Sequence, residues 1–194
     1  MTARLIRLLL AFMLPCGGAL AQDSTDDWQQ IPEADAIISL RVPGLDGGVA
    51  RFYKGRTQHR HHLQQLGSWT GPSGRYPSAA AVVTKLAPGY LFRWEGSLED
   101  WTKDLSILEG ESATFGEVET RPNTLGQIRY MAFGSATVAC VSFLQYMGQA
   151  MGDQSSIGTV RVHGYYCVGA EQGLSAEEMH AVVGGISVKA KALR

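Results

Sequence analysis

The chain has 194 residues, with 17 basic and 18 acidic side chains, three cysteines and 23 glycines. That is enough for one ordinary domain with its own core. The near-neutral balance excludes a general nucleic-acid binder, which should be strongly basic. Glycines this frequent and this irregularly spaced favour turns and strands over long helices.

The first 21 residues read as a secretory signal. Arg4 and Arg7 supply a positive start, residues 5–14 a short apolar run, and Ala19-Leu20-Ala21 the small residues at a peptidase site. A membrane anchor needs about 20 apolar residues, roughly twice this run. A lipid anchor on Cys16 is disfavoured by Pro15. Removing 21 residues from 194 leaves 173. It also takes the 17 basic residues to 15 against 18 acids, a net charge near −3. The expected destination is the bacterial periplasm or the medium, with no transmembrane segment after cleavage.

Residues 22–35 read as a flexible mature N-terminus, 36–189 as a single domain and 190–194 as a frayed basic tail. Residues 36–42, ending at Pro43-Gly44, and residues 49–53 after Asp46-Gly47-Gly48 read as strands. Residues 67–77, rich in Gly, Ser, Pro and Thr, read as a loop holding Trp69 and Tyr76. Residues 79–86 are ambiguous between strand and helix, because so short an apolar run lacks a decisive period. Residues 90–94 and 126–133 read as strands. Residues 97–108 predict a helix, with Ser97 as cap and Leu98, Trp101, Leu105 and Leu108 on one face. Ser175-Ala176-Glu177-Glu178 is a capping-box sequence opening a final helix, with Met179, Val182, Val183 and Ile186 along one stripe. Gly184-Gly185 supplies its stop, and residues 186–188 a short edge strand.

Cys140 and Cys167 are the only cysteines left after cleavage, and in an exported protein they should be bridged. Residues 137–147 and 159–168 predict an antiparallel pair. Setting Cys140 opposite Cys167 places Ser142 opposite Tyr165, Leu144 opposite His163 and Tyr146 opposite Arg161. Val141, Phe143 and Met147 then share the other face with Val160, Val162, Tyr166 and Val168, an almost wholly apolar set. A one-residue slip would turn that set outward, so pattern and disulfide favour the same register. Together these elements predict an α+β fold: an antiparallel sheet of roughly five to seven strands, with two or three helices mainly on one face.

Charge is segregated. No acid occurs between Asp46 and Glu95, a stretch carrying Arg51, Lys54, Arg56, Arg60, Arg75, Lys85 and Arg93. Residues 95–119 then hold eight acids against Lys103 alone. Arg51, Lys54, Arg56 and Arg60 are a candidate patch for an anionic partner such as an acidic glycan, and solvated surface is the plainer reading. Tyr146, Arg161, His163 and Tyr165, on the cysteine face of the hairpin, are a candidate binding surface; a helix could equally cover them.

His59-Arg60-His61-His62 offers two ligands on one face, short of a zinc site, and arginines would repel the cation. No metal and no cofactor are expected, because no phosphate-cradling or dinucleotide glycine motif and no nucleophile elbow occurs. Glu109, Glu111, Glu117 and Glu119 could supply a carboxylate pair for glycoside chemistry, although solvation explains them more cheaply. The expected function is therefore a non-enzymatic exported binding or cell-envelope accessory protein, its partner an envelope protein or an anionic polymer. The alternative is an envelope hydrolase with a site near His163 or His59–His62; catalytic residues are not assignable.

Overall fold

The computed structural model describes residues 28–42, 44–55, 61–93, 96–148 and 156–190. The signal segment, the rest of the N-terminus before Trp28, Arg56, His59, Arg60 and residues 191–194 lie outside the described residues.

Alternating apolar positions organise the described residues into twelve strands. They are β1 (Trp28–Ile31), β2 (Ile38–Leu40), β3 (Val49–Gly55), β4 (His61–Thr70), β5 (Ser78–Leu86), β6 (Phe92–Arg93), β7 (Thr114–Asn123), β8 (Gly126–Gly134), β9 (Val138–Met147), β10 (Ser156–Gly158), β11 (Val160–Gly169) and β12 (Ile186–Val188). Two helices, α1 (Leu98–Lys103) and α2 (Ala176–Gly184), complete the elements together with 3₁₀ turns over Glu33–Asp35 and Ser106–Leu108. Eight strands form one antiparallel sheet in the order β1-β3-β4-β5-β11-β9-β8-β7. Two meanders, β3-β4-β5 and β7-β8-β9, are thus zipped together by β11. β2 pairs with β12, and β6 with β10, as small separate ribbons.

The expected α+β class is corrected. The structure is 53% strand and 15% helical, and its two α-helices lie on opposite faces of the sheet. The predicted helix over 97–108 is only Leu98–Lys103 before the chain tightens into the 3₁₀ turn. Its capping box is present: Asp100 N–H donates to Ser97 Oγ, and Asp100 Oδ2 accepts from the Ser97 N–H. The cap starts a helix, but only burial extends one. Leu98 packs on Met131 and Leu144, and Thr102 Oγ1 lies 2.8 Å from Ser142 Oγ. Beyond Lys103, Leu105 and Leu108 reach the same layer as a turn and cover the Cys140–Cys167 region.

Other differences share that origin. The expected loop at 67–77 is strand as far as Thr70, and Trp69 is core, edge-on to Phe52 at 5.7 Å. Residues 28–31, read as loose, pair with β3. The acidic segment around Glu117 and Glu119 is edge strand β7, bulged between Phe115 and Val118. Charge and a bulge on an outer strand guard its unpaired backbone against further pairing, so solvated chemistry and strand structure coexist there.

The stapled hairpin forms in the predicted register. Cys140 faces Cys167, Ser142 faces Tyr165, Leu144 faces His163 and Tyr146 faces Arg161. The disulfide is made, with Cα atoms 4.1 Å apart. Val141, Phe143, Met147, Val160, Val162, Tyr166 and Val168 all enter the main core. On that side the sheet is covered by β2, β12 and the Val182–Val183 stripe of α2. Gln65 holds the covering segment down: its Oε1 accepts from the Ile37 N–H at 2.8 Å. Asn123 and Gln145 exchange side-chain hydrogen bonds of 3.0 Å, and Asn123 also donates to the Val183 carbonyl at 3.2 Å. That satisfies a carbonyl the helix end leaves open.

Two glycines are demanded by close approach. Gly185 has φ −82°, so no left-handed cap is involved; a Cβ there would collide with the Arg41 carbonyl oxygen. Gly164 lies mid-strand beneath Phe143, where a Cβ would collide with the Ala80 carbonyl oxygen and sit 2.8 Å from Phe143 Cζ. Gly164→Ala should therefore lower stability by about 1–3 kcal/mol through overpacking, in spite of the better strand propensity of alanine. Urea unfolding checks this, and a neutral result would mean that β5 and β11 can part freely at this point.

Candidate functional site

The sequence-predicted surface residues Tyr146, Arg161, His163 and Tyr165 do share one sheet face, as the register requires. They are not an open surface. Arg161 is 9% exposed, its guanidinium 4.3 Å from the Trp101 ring centre and 4.6 Å from that of Phe92. Phe92 in turn leans on Tyr146 at 5.7 Å, and Trp101 covers His163 at 4.9 Å. Arginine between aromatic faces is held by cation–π attraction and by its apolar stem. These residues form a packed layer beneath α1 and β6.

The layer sets the chemistry of its titratable groups. Burial, and secondarily repulsion from Arg161, pull the His163 imidazole down to about 3. Its Nδ1 is buried with no hydrogen-bond partner among the described residues. A catalytic histidine needs an orienting acceptor on one nitrogen and a pKa nearer the working pH; His163 has neither. Burial, then the neighbouring Tyr76 phenol, push Tyr165 up to about 12.

A second cluster was missed from sequence. Tyr130 OH donates to Glu119 Oε2 at 2.6 Å and lies 3.0 Å from His180 Nε2. Glu119 and Tyr130 are cross-strand partners on β7 and β8, and His180 comes from α2. Burial first, then the bond to Glu119, raise the Tyr130 pKa, the wrong direction for a nucleophilic phenolate. The trio clips α2 to the sheet.

An open groove of about 510 Å³ runs along the disulfide end of the sheet, lined by Ser73, Arg75, Tyr76, Thr137, Glu171 and Gln172 among others. Three of its polar side chains are already engaged. Arg75 lies over Tyr76 at 5.2 Å, Ser73 Oγ donates to the Tyr76 carbonyl, and Thr137 Oγ1 donates to Glu111 at 2.8 Å. Hydrogen bonds from Ser135 and then Thr137 hold the Glu111 carboxyl below the usual range.

The candidate basic patch is divided by strand alternation. Arg51 is on the face opposite the main core; Lys54, three residues on, is on the same side as Phe52, which enters the core. His62 is exposed. Among the described residues no group of three or more His, Cys, Asp or Glu side chains could hold a metal ion. No described helix is long and apolar enough to cross a membrane.

What remains open is half of one sheet face. α1 and the turn after it cover β8, β9 and β11, and Leu66 of β4 packs against the edge of that layer; no described element covers the rest of the same face over β1, β3 and β4. Cross-strand partners build its rows: Trp28 with Gly55, Gln30 with Tyr53 and Leu66, Arg51 with Ser68, and Val49 with Thr70. Gln30, Arg51 and Val49 are exposed, while Trp28, Tyr53, Gln64, Leu66, Ser68 and Thr70 are half-buried. The Trp28 indole leans across the bare backbone of Gly55, with Cζ3 and Cη2 3.2 and 3.3 Å from where a Cβ would stand. Of these residues the sequence had singled out Arg51 alone; the legible signal for those on β3 and β4 was an acid-free segment with alternating aromatic and polar positions. Compared with family models and with curated proteins, the chain matches none.

Proposed function

We propose that this is an exported, non-enzymatic binding protein of the bacterial cell envelope, and that its working surface is the uncovered half-face over β1, β3 and β4. One observation carries the reading: this face places aromatic, amide, hydroxyl and arginine side chains together with no described element over them. Export rests on the signal-like segment; the buried disulfide is compatible with an oxidising compartment. The hydrolase alternative gains no support from His163, whose imidazole is held neutral under Trp101 without an orienting acceptor.

Co-sedimentation of tag-free protein with washed envelope fragments tests the reading. Trp28→Ala and Arg51→Gln should each reduce the bound fraction, while Glu177→Gln on exposed α2 should not. Equal binding by all three variants would remove the half-face as the working surface.

A further inference from the structure

We infer that the uncovered half-face takes an anionic polysaccharide strand, a conclusion that rests on the binding-protein reading above and names its ligand class. The rows of this face follow the direction of β3, and successive rows are separated by two residues, roughly 7 Å. Trp28 over Gly55, then Tyr53, then Arg51 therefore form a track about 14 Å long, two aromatic stations followed by a cation. Aromatic side chains that show one side to water and rest the other on a sheet are platforms for the C–H faces of sugar rings. Gln30 and Gln64 stand beside them, and an amide offers both donor and acceptor to neighbouring hydroxyls. Ser68 and Thr70 continue the polar flank on β4.

Charge selects the class of glycan. Among the described residues of β1, β3 and β4 there is no carboxylate. Arg51 is exposed there with a planar fork suited to a carboxylate or sulfate. Among the described residues Val49, at 53%, is the one exposed large hydrophobic side chain on this face, so the face lacks the contiguous apolar patch that marks a protein-docking site.

Titration calorimetry with a hexamer of galacturonate, set against neutral maltohexaose, tests the inference on the signal-cleaved protein. The uronate should bind, with affinity falling about tenfold in Trp28→Ala and in Arg51→Gln and falling as salt is raised. Arg51→Gln alters an exposed side chain, so it reads binding even if loss of Trp28 loosens β1. Equal affinity for both hexamers would overturn the charge selection. Tighter binding of an oligothymidylate would reassign the face to nucleic acid. If the uronate fails while envelope co-sedimentation persists, the ligand class falls and the binding reading stands; if both fail, both fall.

Discussion

Lowering the pH from about 7 to about 4.5 should weaken the fold chiefly through His163, and His163→Asn should flatten that limb of the stability profile. The folded protein holds this imidazole at about 3 against an ordinary 6.5. Between those values the unfolded chain binds a proton that the native state refuses, so stability rises with pH. The contribution is complete above 6.5 and is lost progressively as pH falls toward 3. At roughly 1.4 kcal/mol per unit the full effect is on the order of several kcal/mol, diminished by whatever water reaches the ring edge. Asp100, Glu111 and Glu178 have lowered carboxyl pKa values and act in the same direction. Their contributions disappear only as pH falls below the ordinary carboxylate values of 3.8 to 4.5, and so do not overlap the upper part of the window. Urea unfolding of wild type and His163→Asn at both ends of the window decides the matter. Parallel profiles would mean that the ring is already protonated in the native protein or is hydrated beneath Trp101.

Replacing both Cys140 and Cys167 with alanine should cost about 3.5 kcal/mol on the chain-entropy estimate for a 27-residue separation. It should also lower the urea midpoint. The bridge joins strands already in register, so the native structure should persist and the effect should lie mainly in the freed unfolded chain. The two cysteines are 1% and 0% exposed, with Tyr76, Leu105 and Leu108 packed in the same layer. Reductant and an alkylating reagent should therefore leave Cys140 and Cys167 unmodified in the native protein and label both once denaturant is added. Mass spectrometry reads both states. Rapid double labelling without denaturant would show that the covering turn opens readily, and an alanine pair as stable as wild type would assign the hairpin entirely to its hydrophobic face.

The two outcomes bear on opposite ends of one layer. Cys140, Cys167, Tyr165, His163 and Arg161 all project from the same face of the hairpin. α1 and the turn after it are what make the bridge inaccessible and the imidazole neutral. Helix and turn together thus cover the two ends of this layer, Trp101 over His163 and Leu105 and Leu108 at the bridge.

Local chemistry was legible in the chain. The register of β9 and β11 could be read because side-chain alternation and one covalent bond both required it, and a slip would have exposed Val141, Phe143, Val160 and Val162. The Ser175–Glu178 capping box and the Ser97 cap could be read because each is closed within four residues; that Asp100 completes a second box is a finding of the structure. Elements whose identity depends on distant neighbours could not. Trp69 sits among loop-forming residues and becomes strand core because Phe52 meets it from β3. The acids of β7 resemble free surface until the edge of an eight-stranded sheet explains them. Lys54 and Arg51 are close in sequence but separated by the sheet itself.

The candidate site shows the same division. Alternation assigned Tyr146, Arg161, His163 and Tyr165 to one face, and periodicity cannot say what lies on top of a face. Trp101 and Phe92 reach Arg161 from another part of the chain, and their arrival buries Arg161 and leaves Tyr146 and His163 half-buried. By itself the sequence determined the strand pairing of the stapled hairpin, its bridge and the helix starts, because those follow from contacts between near neighbours or from one covalent constraint. Only the tertiary structure decided which half of the sheet face is covered and which no described element covers, because burial depends on how segments far apart in sequence are brought together.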